Sequence, residues 1–212
     1  MKAKKVSVAY MWLAIVFVTC LIASNMFEAK LIAVGDISVT AGLLCFPISY
    51  IIGDVTTEVY GFKAARRVIW AGFAMNFFVV ALGGIACMLP APDFWTNGEA
   101  FDTVFGLAPR IAAASLTAFV TGSIVNAWVM DRMHHVHEDR FFGLRAIAST
   151  IAGETVDSVI FFPIAFGGTM PANELFKMMV VQIVLKTLYE VIILPVTIQV
   201  VKFFKKLEAP AA

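Results

Sequence analysis

Six stretches of the chain stay apolar for long enough to cross a bilayer: residues 8–27, 37–58, 68–89, 111–130, 146–167 and 176–203. A spanning helix needs about 20 predominantly apolar residues, and a segment in lipid must satisfy its own backbone hydrogen bonds. The pattern therefore predicts an all-α membrane protein, a bundle of six transmembrane helices. The alternating segments of about ten residues that mark a membrane barrel are absent. The run at 8–27 is longer than a signal-peptide core and is followed by no A-x-A site, so it is expected to remain as the first helix. No Pro/Gly/Ser-rich linker or low-complexity stretch interrupts the pattern, and 1–212 is read as a single polytopic domain.

Composition agrees, with 60% hydrophobic and 15% charged residues, where soluble domains run near half and a quarter. A net charge of +1 offers nothing to nucleic acid. The distribution of charge is more informative. Lys2, Lys4, Lys5, Lys63, Arg66, Arg67, Arg132, Arg140, Arg145, Lys202, Lys205 and Lys206 fall on one side of the predicted bundle, while the loop at 91–107 on the other side carries Asp93, Glu99 and Asp102. Lys and Arg near helix ends are retained in the cytoplasm. Both termini are thus expected there, in a multi-pass protein of the cell inner membrane.

Small residues recur on the predicted helix 4 at Ala114, Ala118 and Gly122, a stripe that lets a neighbouring helix approach closely. Cys20, Cys45 and Cys87 lie in apolar runs without metal spacing, and His134, His135 and His137 fall in a charged loop after Asp131. No metal, cofactor or disulfide framework is expected from them.

Packing does not account for the ionisable residues inside the spans: Asp54 and Glu58 on helix 2, Glu154 and Asp157 on helix 5, Lys186 and Glu190 on helix 6. Each costs at least ~2.5 kcal/mol near the bilayer centre and normally faces a bundle interior or a wet cavity. Spacings of three and four put each pair on one face of its helix. At ~1.5 Å per residue, Asp157 and Lys186 both lie ~15 Å from their ends of the core, at one level, where they can neutralise each other. Glu154, Glu190 and Asp54 fall nearer the cytoplasmic edge and outnumber the cations. One carboxyl there is expected to carry a proton or an ion, and Glu58 and Glu190 are read as ion-coupling or structural charges. Gly53-Asp54 followed by Glu58, and Gly153-Glu154 followed by Asp157, also echo each other as two halves of an inverted repeat would.

These residues are recognisable. Phe46-Pro47, Gly53-Asp54-Val55-Thr56-Thr57-Glu58-Val59-Tyr60-Gly61, Ala64-Ala65-Arg66-Arg67-Val68-Ile69, Arg110-Ile111-Ala112, the run from Ser149 to Ser158, and Lys186 together resemble the queuosine precursor transporter family, also called vitamin uptake transporters. The resemblance implies import of a 7-deazaguanine such as 7-cyano-7-deazaguanine. Such a ring presents N1–H and an amine on one edge, which a carboxylate accepts as a two-point fork, while an aromatic ring covers its face. Glu154 is assigned the fork, with Asp157 as the alternative acceptor. Asp54 and Asn76 are placed on the carbonyl side or on an ordered water, an ionised Asp54 being able only to accept, with Phe161 on the ring face and Lys186 beside the acids.

Intramembrane proteolysis is disfavoured because no histidine lies in a span and G-x-G-D is missing, so no enzyme is expected. The alternative is a substrate-binding subunit of an energy-coupling-factor importer for a vitamin-like solute. Such subunits dock an ATPase module through A-x-x-x-A on helix 1, which 8–27 lacks, although helix 4 has Ala114-x-x-x-Ala118. No ATPase module is expected as a partner; a homo-oligomer is left open.

Overall fold

The computed structural model describes residues 7–35, 37–137 and 142–208. Lys2, Lys4, Lys5 and Arg140, counted above among the basic residues, lie outside them. The helices are α1 (Val8–Phe27), α2 (Phe46–Tyr60), α3 (Phe62–Met88), α4 (Gly98–His137), α5 (Phe142–Phe166) and α6 (Ala172–Leu207). Five of them, all but α2, are long and apolar enough to cross a membrane, which makes this a multi-pass helical membrane protein.

The expected second span is corrected, within a fold that is otherwise helical. Residues 37–44 are not α-helical: β1 (Leu31–Val34) pairs antiparallel with β2 (Ile37–Thr40), and a 3-10 turn, Ala41–Leu44, leads into the 15-residue α2. The cause is local. The apolar run Leu31-Ile32-Ala33-Val34 leads into Gly35, which takes φ +61 at the start of the turn, and β-branched Ile37, Val39 and Thr40 continue beyond it. A positive φ at that position is what a tight hairpin requires. Val39, Thr40, Ala41 and Gly42 are buried, so the non-helical backbone that enters the bundle is sheltered by protein, as it must be in lipid.

The helices close into a ring: α1 packs along α3, α3 on α4, α4 on α5, α5 on α6, α6 on α2, and α2 back on α1. The contacts follow no two-fold exchange of halves, since the pair corresponding to α1 and α3, namely α4 and α6, makes no comparable contact among the described residues. At the α2–α3 joint Gly61 takes φ +84, ending one helix and opening the next, and its N–H bonds the Thr57 carbonyl at 2.9 Å. Helix α4 outruns the predicted 111–130 at both ends. Its early turns are held because the Phe105 ring lies on the bare backbone of Gly83, and its last turn takes in the three histidines expected in a loop.

The described ends of the chain meet on one face of the bundle. The hydroxyls of Ser7 and Tyr60 both donate to the Glu208 carboxylate, the latter at 2.9 Å. Lys63, Arg66, Arg67, Lys202, Lys205 and Lys206 are exposed toward the same face.

Candidate functional site

The site is built on the tightest helix pair. A Cβ on Gly122 of α4 would come within 2.9 Å of the Gly153 carbonyl and 3.1 Å of the Asp157 Cβ; one on Gly153 of α5 would come within 2.9 Å of the Asn126 Cβ. Ala114 and Ala118 complete the seam with no exposed surface. The small-residue stripe therefore joins α4 to α5, and its A-x-x-x-A is consumed in that packing. Arg110 of α4 fastens the far end of the seam, where its guanidinium donates to the carbonyls of Ile164 and Gly167, the latter at 2.5 Å, at the carbonyl-rich terminus of α5.

With its backbone pressed on α4, α5 turns Glu154 and Asp157 toward α6. The Lys186 ammonium, on a side chain 7% accessible, lies 2.9 Å from Asp157 Oδ2 and 3.2 Å from Glu154 Oε2. The level match counted along the helices thus becomes a three-membered cluster. One turn along α6, Glu190 accepts from the Thr150 hydroxyl at 3.1 Å.

These groups form part of the wall of a cavity of about 330 Å³ at the centre of the ring, to which all six helices contribute. Of the residues expected at a site, Glu154, Asp157, Asp54, Phe161, Lys186 and Glu190 line it. Two do not. Asn76 is completely buried in α3 outside the lining, with neither amide atom hydrogen-bonded. Glu58 is exposed and pairs with Lys205 at 3.2 Å, a surface ion pair of small energetic weight. Of the aromatics beyond Phe161, Phe162 is sealed in the core and Tyr60 is tied to Glu208. Rings not expected at the site, Phe73 of α3 and Phe119 of α4, line the cavity as a tilted pair 5.5 Å apart.

The other unexpected lining comes from α1 and its hairpin. Asn25 and Glu28, at the end of α1, and Gln182 of α6 are almost fully buried in the cavity wall. The signal was present as polar Ser24, Asn25 and Glu28 closing an otherwise apolar run, spaced to share one helical face. This end of the cavity lies under β2 and the 3-10 turn, whereas at the other end Asp54 is exposed. The lining carries five carboxylates (Glu28, Asp54, Glu154, Asp157, Glu190) against one lysine. Among the described residues no group of three or more His, Cys, Asp or Glu is placed to hold a metal ion. Such a wall repels phosphates and suits a solute rich in N–H donors.

A ring of helices, five of them long and apolar enough to cross a membrane, around a solute-sized cavity with charged and amide side chains in its wall defines a transport protein of the bilayer rather than an anchor. Residues 40–200 match the model of the family described as "Putative vitamin uptake transporter". The chain belongs to that family, as the pattern of its residues indicated. It is 27% identical to the "Probable queuosine precursor transporter" of Bacillus subtilis (strain 168), over 82% of this chain and 76% of that one. It is also 27% identical to the "Queuosine precursor transporter" of Escherichia coli (strain K12), over 74% of this chain and 69% of the relative. The Haemophilus influenzae "Probable queuosine precursor transporter" matches at 27% over 74% and 70% of the two chains. No solved structure matches the chain.

Proposed function

We propose that this protein is a secondary-active importer of the cell inner membrane for a queuosine precursor, 7-cyano-7-deazaguanine or a related 7-deazaguanine. The observation that carries this reading is the central cavity, whose carboxylates, single lysine and aromatic rings suit a flat, neutral, N–H-rich ring. The names of the three relatives support the solute class. In this reading Phe161, with Phe73 and Phe119, covers the ring faces. Lys186, Glu154 and Asp157 form the polar wall, and Asp54 and Glu190, toward the exposed end, serve the coupling ion. The face where the termini meet is cytoplasmic by its lysines and arginines, and the 3-10 turn with α2 makes the sixth crossing.

The test is uptake of labelled 7-deazaguanines into cells unable to synthesise them, and into proteoliposomes under imposed proton or sodium gradients. Accumulation that follows one gradient is expected. A well-expressed protein that moves no 7-deazaguanine would refute the solute assignment; transport indifferent to both gradients would remove the coupling.

A further inference from the structure

We infer that Asn25, Glu28 and Gln182 form the pole of the cavity that reads the ring edge of the solute, and that the edge they fit presents two neighbouring N–H donors beside one carbonyl acceptor. The inference rests on the functional reading above and assigns the recognition chemistry within it.

Glu154 and Asp157 are engaged by Lys186. The carboxylate of Glu28 is held differently. It lies against Gly42, where a Cβ would fall 2.2 Å from Oε1, and it accepts a hydrogen bond from the Thr40 hydroxyl. Among the described residues its Oε2 has no hydrogen-bond partner, although the residue is only 1% exposed. Gln182, equally buried, donates Nε2 to Thr40 Oγ1 at 3.5 Å, which leaves its Oε1 unpartnered. Asn25 lies on α1 one turn before Glu28, and its Nδ2 is likewise unpartnered. All three side chains line the same cavity.

Buried polar atoms are hydrogen-bonded almost without exception, so three unmet ones in one wall point to a ligand that completes them. Their chemistry is specific. The Glu28 carboxyl oxygen and the Gln182 amide oxygen accept, and the Asn25 amide nitrogen donates. The complement is a 2-amino-4-oxo-pyrimidine edge: ring N–H and exocyclic amine to the two acceptors, carbonyl to Asn25. A 6-aminopurine edge presents an amine beside a bare ring nitrogen, whose lone pair would face a carboxylate oxygen. The pole therefore discriminates guanine-type from adenine-type rings.

The test is equilibrium binding to the purified full chain in nanodiscs, using 7-cyano-7-deazaguanine and its analogue lacking the 2-amino group. Removing the amine should weaken binding to the native protein roughly 10- to 150-fold, the worth of a hydrogen bond to a charged group. Glu28→Gln should weaken the parent compound by a similar factor and erase the difference between the two compounds. A Glu28→Gln protein that binds the parent normally, or keeps the full difference, overturns the inference. So does a native protein that binds both compounds equally, while import of 7-deazaguanines stands. If Glu28→Gln does not fold, Asn25→Leu and Gln182→Met decide. Weakened binding of the parent by both is expected, and unchanged affinity in both overturns the assignment. A native protein that binds neither compound overturns the functional reading, and the inference with it.

Discussion

At the scale of single residues, the cluster around Lys186 sets an order of severity. Removing one member of a buried ion pair costs about 3–5 kcal/mol because the other charge is left uncompensated. Lys186→Met strands two carboxylates and should lower thermal stability in detergent by that amount. Asp157→Asn leaves Lys186 with Glu154 still 3.2 Å away, and should cost clearly less. Equal losses in melting experiments would show that the two carboxylates do not share the lysine. The pairing of Asp157 with Lys186 was legible from counting residues along two helices, because rise per residue converts position into depth. Asn76 and Glu28 show where counting fails. A lone amide in an apolar helix reads as a site, but which neighbour its face meets is decided by packing, and here it meets a sealed interface. Glu28 stands just past an apolar run and reads as a helix end in water. Only the hairpin folding over it makes it part of a cavity.

Among elements, the α4–α5 seam decides where the acids stand. Gly153→Ala should cost ~1–3 kcal/mol by overpacking, since its new methyl would meet Asn126 and the Gly122 carbonyl at 2.9 and 3.0 Å. Gly84→Ala, with nothing within 4 Å of the added carbon, should be close to neutral. Thermal unfolding of both variants checks this, and a neutral Gly153→Ala would mean the seam is looser than described. The stripe on α4 was visible in the sequence because small residues at four-residue spacing have one use in lipid. The hairpin that displaces the start of the second span was also visible, as Gly35-Asp36 between two short runs that each carry β-branched residues. It was masked by hydropathy, which scores strand and helix alike.

For the whole molecule, the ring places both described ends of the chain on one face, and the positive-inside rule predicts that this basic face is the cytoplasmic one. Thr96→Cys should be labelled by a membrane-impermeant reagent added outside intact cells, and His135→Cys should not. The reverse pattern would invert the bundle. Five of the six expected spans are helices long and apolar enough to cross, and they were readable from the chain because the bilayer imposes length and apolarity on every span. The ring order was not, since helices equally apolar all round carry little record of their neighbours.

The Thr40 hydroxyl accepts from Gln182 and donates to Glu28, so the last residue of β2 is bonded into the pole that we assign to the solute. Occupancy of that pole and the position of the strand end are therefore thermodynamically linked. Linkage is reciprocal: whatever factor the solute contributes toward holding the strand in place, the seated strand returns as affinity for the solute. A covering segment that shares hydrogen bonds with its cargo needs no separate sensor to register that the cavity is filled.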